Sequence, residues 1–296
     1  MWPYVIEQPL RIGTYGVMMA VGFLTAMWIL SREHRRRNID PKHAETTIFL
    51  AIIFGVLGSK LTYMITEAET WSWGDLVSGA GLTWHGGLIL ATVAIVTYYK
   101  IKKLPVAVMF DALSPTLATG YAFGRVGCQL SGDGDYGLAC GDFVNRAQCW
   151  MVDLYERGFE ICWSKIPPLF CMSYPDGIVP TDELVHPTPV YESTMNFGLF
   201  GILWMVRKRI RWPGVLFGLY MMGSGVMRFY IEQYRGDEGR PDRFLELRDA
   251  EIIGLLQLAF GIGLAIWSAT RKVPKDLEYG VLPVPSPEPA KKKKKK

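Results

Sequence analysis

The chain has 296 residues, of which 50% are hydrophobic, and carries a formal net charge of +4. Its length permits one or two soluble domains, but the apolar residues are concentrated in runs near the ~20 residues that a helix needs to cross a bilayer. A soluble protein with buried helices is excluded, because so many long apolar runs leave little amphipathic surface.

Seven apolar runs follow one another along the chain and predict an all-α integral membrane protein with seven transmembrane helices. The first run is followed by so many others that a cleaved signal peptide does not explain it. The runs cover residues 13–30, 45–66, 83–100, 106–127, 189–206, 213–234 and 250–269.

The positive charges fall between alternate runs and predict the orientation. Because basic loops stay in the cytoplasm, we expect the N-terminus outside and the C-terminus inside. Residues 1–270 then form the transmembrane domain, and 271–296 form a basic cytoplasmic tail that we expect to be disordered. Contact of Lys291–Lys296 with anionic lipid is the alternative. The net charge is thereby explained, so no nucleic-acid partner is predicted. The basic segments are SREHRRRNIDPK, KIKK, RKRIR and the tail itself.

Polar residues lie at the outer starts of the first and third runs. Tyr15 precedes Gly16 in the first run, where an aromatic residue at the membrane boundary is the simpler interpretation. His85 begins the third run, before Gly86 and Gly87, which let another backbone or a substrate approach closely. Histidine suits proton transfer near neutral pH, although a hydrogen bond to a neighbouring helix explains His85 equally well.

The fourth run ends in YAFGRVGCQLSGDGDYG, which places Arg125 between apolar neighbours. A charged residue at the centre of a span costs about 2.5–3.5 kcal/mol on insertion scales, so it usually has a partner and a function. Asp133 and Asp135 follow at the water-facing side of this run. The sequence does not decide which of the two carboxylates makes contacts within a site.

The longest stretch between runs, about 130–188, is predicted to be extracytoplasmic, where disulfides form. Cys128 precedes it, and four further cysteines lie within it as two equally spaced pairs. Four cysteines allow three pairings, and all three stay open. Disulfides are favoured over a metal, because there is no C-x-x-C motif and His186 is the one histidine nearby. The four are Cys140, Cys149, Cys162 and Cys171.

The fifth and sixth runs add acids and arginines. HPTPVYES places Tyr191 and Glu192 at the entry to the fifth run, where a glutamate suits the helix dipole. In the sixth run, Arg228, Glu232 and Arg235 are spaced i, i+4 and i+7 and share one helix face. An ion pair that holds helices together is the structural alternative for the first two, but it leaves the other arginines unexplained.

These polar residues come from five spans, and each lies at the outer end of its span. A helix bundle brings such ends together, so the sequence predicts an outward-facing pocket within the membrane. The planar fork of arginine suits phosphate, and in a membrane the obvious phosphate is a lipid head group. There is no G-x-S-x-G, Walker or H-E-x-x-H motif, which excludes most hydrolase, nucleotide-binding and metalloprotease functions.

The motifs TYG, WHGGL, GRVGCQLSGDGDYG, HPTPVYES and RFYIEQYR, in this order, resemble those of the prolipoprotein diacylglyceryl transferases. The resemblance extends from about Arg11 to the seventh run. It implies a seven-helix protein of the bacterial cytoplasmic (inner) membrane whose active site faces outward. Such an enzyme transfers the diacylglyceryl group of phosphatidylglycerol to the lipobox cysteine of a preprolipoprotein and releases glycerol 1-phosphate. We expect no cofactor and no metal, since a leaving phosphate ester requires no redox carrier.

The resemblance also implies roles for individual residues. Arg125 and Arg228 are expected to bind the lipid phosphate and stabilise its departure, with Glu232 orienting Arg228. His85 is the expected base for the thiol, with Tyr15 as the alternative. The remaining residues expected to bind phosphatidylglycerol are Gly86, Ser131, Asp133 (through the glycerol hydroxyls), Gly137, Tyr191, Glu192 and Arg235.

The sequence departs from the family's usual motif around Arg125. Cys128, Gln129 and Ser131 replace an asparagine, an aromatic residue and a second asparagine, and Gly137 comes one residue later than usual. An outward-facing transporter of anions or anionic lipids stays the alternative function, since intramembrane arginines and a glycine-rich break also suit transport.

Overall fold

The computed structural model describes residues 3–6, 12–66, 83–140, 171–235, 248–272 and 275–283. Within these ranges seven α-helices make up the fold. Each coincides with one of the seven apolar runs, so the prediction of seven helices is confirmed. They are α1 (Thr14–Arg36), α2 (Lys42–Thr66), α3 (Trp84–Ile101), α4 (Val106–Ser131), α5 (Thr188–Val206), α6 (Val215–Glu232) and α7 (Asp249–Thr270).

Four of these helices, α1, α2, α4 and α7, are long and apolar enough to cross a membrane. Helix α3 contributes a shorter apolar stretch, His85–Ile101. Large apolar side chains are exposed on the outer faces, including Phe49 on α2 and Leu256 on α7. Such faces suit lipid, whose tails are as apolar as leucine. The number of crossings and their direction stay predictions.

Helix α4 is central, because it packs against α1, α5 and α6, whereas α2 pairs with α3 and α6 pairs with α7. The α6–α7 pair is close at its glycines. A methyl group on Gly225 would lie 2.6 Å from the carbonyl oxygen of Gly254, and one on Gly218 would lie 2.9 Å from that of Gly261. Small residues let helix backbones approach in this way within membranes.

A carboxylate on α4 holds the start of α6. The two oxygens of Asp111 accept hydrogen bonds from the backbone amides of Gly214 and Phe217, each at 2.8 Å. The first amides of a helix have no acceptor within that helix, so this buried side chain satisfies two of them. Gly214 has φ +100°, a conformation that favours glycine. Helix α6, which carries the predicted site residues Arg228 and Glu232, is therefore fixed to α4 at its start.

Two small hairpins complete the described fold. Strands β1 (Tyr4–Ile6) and β2 (Ile12–Gly13) precede α1, and β3 (Met172–Tyr174) and β4 (Thr181–Val185) precede α5. Both pairs are antiparallel. The chain leaving α4 pairs with β4 through an isolated antiparallel bridge between Ala139 and Val185.

A disulfide joins Cys140 to Cys171, across 31 residues of sequence. Cys140 and Cys171 are therefore bonded to each other and not to Cys149 and Cys162, their respective neighbours in the sequence. Cys149 and Cys162 lie outside the described residues. Cys128 is a free, buried cysteine. The disulfide thus cross-links the chain that leaves α4 to the residue that precedes β3.

Part of the tail that the sequence predicts to be disordered has a defined position. Lys275–Gly280 form a 3-10 helix, and the amide of Leu282 donates to the carbonyl of Arg37 at 2.9 Å. The Asn38 side chain donates to the carbonyl of Leu282, also at 2.9 Å. The start of the tail is thus attached to the end of α1. Residues 284–296, including the lysine run, lie outside the described residues.

Replacing both Cys140 and Cys171 with serine should lower the melting midpoint of the detergent-solubilised protein. Loop-closure entropy for this separation corresponds to about 3–4 kcal/mol. The measurement is thermal unfolding of the double variant beside Asp182→Ser, a control on exposed strand β4. A double variant that melts with the wild type and the control would show that this cross-link does not hold the segment.

Candidate active site

Arg125, in the last two turns of α4, lies between two carboxylates. Its guanidinium forms ion pairs with Asp135, in the loop after α4, and with Glu192, in the first turns of α5. Its Nε donates to the Tyr121 hydroxyl at 3.4 Å. The side chain is only 12% exposed. The cation that the sequence leaves unexplained is therefore almost enclosed by acceptors from three segments.

Asp135 bridges two arginines. One carboxylate oxygen accepts from Arg125, and the other accepts from Arg235 Nη2 at 2.6 Å. Burial by itself would raise the pKa of Asp135, but the two guanidinium groups outweigh it and hold that pKa below its ordinary value. Asp135 is therefore ionised near neutral pH. It links the end of α4 to the end of α6.

The loop conformation decides which aspartate makes these contacts. Gly132 and Gly134 have φ +59° and +92°, a region that favours glycine. Asp133 lies between them, and its Oδ1 is 3.4 Å from the amide of Asp135. Burial raises the pKa of Asp133. The structure thus assigns the arginine contacts to Asp135, and the predicted role of Asp133 toward glycerol stays a prediction.

Glu192 and Tyr191 face different partners. The Glu192 carboxylate accepts from the Tyr121 hydroxyl at 2.6 Å and completes the surroundings of Arg125. Tyr191 is buried, and its hydroxyl lies 3.3 Å from Nδ1 of His186. Of these two neighbouring predicted residues, Glu192 therefore belongs to the ion pairs around Arg125, and Tyr191 packs among aromatic side chains.

The predicted ion pair on α6 is present. Arg228 Nη2 lies 3.5 Å from Glu232 Oε2, as the i, i+4 spacing indicates. Arg228 is 31% exposed, whereas Glu232 is almost fully buried. Arg248, just before α7, also approaches Glu232, with Nη1 3.8 Å from Oε1. Sequence reasoning missed Arg248, because it lies outside the apolar runs and has no feature that distinguishes it from a solvated charge.

The described ion pairs at these helix ends form two groups. Arg125 and Arg235 pair with Asp135 and Glu192, and Arg228 and Arg248 share the carboxylate of Glu232. We call these seven residues the arginine cluster. Its members are Arg125, Arg228, Arg235, Arg248, Asp135, Glu192 and Glu232.

Tyr15 lies against the helix that carries Arg125. A methyl group on Gly127 would be 3.1 Å from Tyr15 Cδ2, so the ring packs on the backbone two residues beyond Arg125.

Ser131 is fully buried, and its hydroxyl donates to the carbonyl of Cys128 at 3.1 Å. Ser131 thus closes the end of α4, and its predicted contact with lipid stays a prediction.

His85 lies in the first turn of α3 with an exposed side chain. It belongs to the α2–α3 pair and not to a helix that supplies the arginine cluster. Gly86 and Gly87 pack on α2. A methyl group on Gly86 would lie 2.5 Å from the carbonyl oxygen of Gly58, and one on Gly87 would lie 2.6 Å from that of Gly55. Of the two roles predicted for these glycines, the described contacts support the approach of another backbone.

One group of side chains has the composition of a cation site. Cys128 Sγ and one carboxylate oxygen each from Asp133 and Asp135 lie within 4.8 Å of one another. Two arginines already contact Asp135, and their charges oppose a metal ion at the same place. The absence of a metal stays a prediction.

Gly137 lies where three segments meet. Its amide donates to the carbonyl of His186 at 2.7 Å, and the next amide, of Leu138, donates to the carbonyl of Tyr234 at 2.8 Å. A methyl group at Gly137 would collide with the Tyr234 carbonyl oxygen and would lie 2.8 Å from Thr188 Cγ2. Gly137 therefore joins the ends of α4 and α6 to the start of α5, beside the arginine cluster.

Comparison with known proteins gives one consistent family. The model of the family described as prolipoprotein diacylglyceryl transferase matches residues 3–267. Three relatives carry the name phosphatidylglycerol–prolipoprotein diacylglyceryl transferase. That of Leptospira interrogans is 27% identical over 80% of this chain and 77% of its own. That of Chlorobaculum tepidum is 28% identical over 92% and 91%, and that of Clostridium tetani is 28% identical over 86% and 92%.

Gly137→Ala should destabilise the protein, because a methyl group there requires the backbone of Tyr234 and the side chain of Thr188 to move. Overpacking of this kind typically costs about 1–3 kcal/mol. Thermal unfolding would be compared with that of Gly120→Ala, on α4, where a methyl group meets nothing within 4 Å. Equal melting midpoints for the two variants would contradict the close packing described for Gly137.

Proposed function

Since this chain belongs to the prolipoprotein diacylglyceryl transferase family, we propose that it transfers the diacylglyceryl group of phosphatidylglycerol to the lipobox cysteine of preprolipoproteins. The products are a thioether-linked lipid on the cysteine and glycerol 1-phosphate. The relatives' names specify phosphatidylglycerol and a prolipoprotein. The observation that carries the proposal for this chain is the arginine cluster at the ends of α4 and α6.

The charge of the arginine cluster suits a lipid phosphate. Arg228 and Arg248 share the single carboxylate of Glu232, and a phosphodiester carries one negative charge. Arg228 is the more open cation, at 31% exposure against 12% for Arg125. We therefore propose that Arg228 receives the phosphate directly and that Arg125, held by Asp135 and Glu192, completes the positive surface behind it.

The reaction needs a thiolate and a stabilised leaving group. Because an ordinary cysteine thiol has a pKa near 8.5, its proton must pass to a base. The sulfur electron pair then forms a bond to the glyceryl carbon, and the electron pair of the broken C–O bond leaves with the phosphate. Preorganised cations stabilise the charge that develops there. Arg228 and Arg125 would supply this stabilisation, and Glu232 would orient Arg228.

Two groups are candidates for the base. Tyr15 packs on Gly127, two residues from Arg125, whereas His85 lies on the α2–α3 pair. Histidine as a residue type suits proton transfer near neutral pH, and Tyr15 is on the better-placed helix. His85 and Tyr15 are therefore both proposed as candidates for the base. The His85→Gln variant is expected to lose most of its transfer activity. No step requires a cofactor or a metal.

We propose seven membrane crossings, with the N-terminus outside the bacterial cytoplasmic membrane. Three arginine–tryptophan pairs lie at the carboxyl ends of α1, α5 and α7. The basic residues at these ends support this orientation, because basic loops stay in the cytoplasm. Tryptophan favours the membrane boundary, and basic residues follow each of these ends in the sequence. The arginine cluster lies at the opposite side, which would face outward. The pairs are Trp28–Arg32, Trp204–Arg207 and Trp267–Arg271.

The direct test uses purified protein in liposomes of phosphatidylglycerol with a lipobox peptide. Mass spectrometry should show the peptide gaining one diacylglyceryl group on its cysteine, and a peptide with serine at that position should gain none. Lack of the adduct together with movement of phosphatidylglycerol across the liposome would contradict the proposal and would favour transport.

Arg228→Ala and Arg125→Ala should each reduce transfer in this assay by about 10²–10³-fold, the usual cost of removing a group that stabilises developing negative charge. Membrane insertion should be unchanged. Arg209→Ala, on an exposed turn after α5, is the matched control and should keep wild-type activity. Full activity of either cluster variant would remove that arginine from the proposed site.

A further inference from the structure

Arg248 is linked to the end of α6 both by its side chain and by its backbone amide, through the carboxylate of Glu251. It is the residue immediately before α7, and its amide donates to Glu251 Oε2 at 2.7 Å. The other oxygen of that carboxylate accepts from Gln233 Nε2 at 2.5 Å. One carboxylate therefore joins the start of α7 to the residue that follows α6.

The Arg248 side chain extends back to the carbonyls at the end of α6. Nη1 donates to the carbonyl of Glu232 at 3.0 Å and to that of Arg235 at 2.6 Å. The last carbonyls of a helix have no donor within that helix, and a cation there also complements the helix dipole. Arg248 thus satisfies the carbonyl of Arg235 and adds a second donor to that of Glu232, which also accepts from the Arg235 amide at 3.2 Å. It also lies beside the Glu232 carboxylate.

The residues held in this way belong to the arginine cluster. Glu232 pairs with Arg228, and Arg235 pairs with Asp135. Lower down, α6 and α7 are fixed against each other at Gly225 and Gly254. Arg248 therefore continues the close contact between α6 and α7 up to the last turn of α6. Glu232 and Arg235 project from this turn.

We propose that Arg248 is a positioning residue for the transfer reaction. It holds the last turn of α6 so that Glu232 orients Arg228 and Arg235 reaches Asp135, and it acts through these groups without touching the substrate. This inference rests on the proposed function. Small displacements of reacting groups reduce rates steeply, by about 10²-fold for 1 Å, so loss of Arg248 should affect turnover.

The first test measures the attachment itself and does not depend on activity. Hydrogen exchange of the peptide that covers the end of α6 should become at least several-fold faster in Arg248→Ala than in the wild type. Arg271→Ala, at the exposed opposite end of α7, should leave this exchange unchanged. Unchanged exchange in Arg248→Ala would overturn the proposal, whatever the activity of the protein.

The second test measures kcat and KM in the phosphatidylglycerol and lipobox-peptide assay at a temperature well below unfolding. Arg248→Ala should lower kcat about 10–100-fold with little change in KM for the peptide, and added guanidinium should restore part of the loss. Arg248→Lys, which keeps the charge but not the planar fork, should retain intermediate activity. These readouts separate positioning from a loss of folded protein.

A double variant tests the route through Glu232. If Arg248 acts through this carboxylate, adding Arg248→Ala to Glu232→Gln should lower kcat less than adding it to the wild type. Equal effects in both backgrounds, or wild-type kcat in Arg248→Ala, would overturn the proposal. A wild-type protein that forms no adduct would contradict the proposed function instead, and the exchange measurement would still test the attachment.

Discussion

The guanidinium of Arg125 is the point at which the helices of the site are joined. It pairs with Asp135 after α4 and with Glu192 on α5, and Asp135 continues to Arg235 at the end of α6. A buried charge is tolerated only when it is paired, and removing one partner of such a pair typically costs about 3–5 kcal/mol. The carboxyl ends of α4 and α6 and the start of α5 are therefore held together by charge.

The same arrangement explains how the site would bind an anion. Asp135 and Glu192 hold Arg125 and Arg235, and Glu232 lies between Arg228 and Arg248. Arg228 keeps the largest exposed fraction among the four arginines of the cluster, at 31%. A cation within a membrane normally has a functional partner, and the proposed crossing of α6 would make Arg228 such a cation. Membership of the transferase family identifies a lipid phosphate as the partner to test.

Much of the fold followed from the sequence, because seven long apolar runs leave few alternatives to helices. The Arg228–Glu232 pair followed from its i, i+4 spacing. The sequence did not predict that Asp135, and not Asp133, contacts the arginines, because this depends on the left-handed conformations of Gly132 and Gly134. Arg248 was missed for a similar reason, because its partners are backbone carbonyls brought near by the packing of α6 on α7.

We propose that the arginine cluster binds the phosphate of phosphatidylglycerol, with Arg228 in direct contact. The most direct measurement is the dissociation constant of phosphatidylglycerol for the detergent-solubilised wild type, Arg228→Lys and Arg228→Gln. We expect the glutamine variant to bind at least about tenfold more weakly, a change of about 1.4 kcal/mol, with the lysine variant between it and the wild type. Equal dissociation constants for all three proteins would contradict the claim.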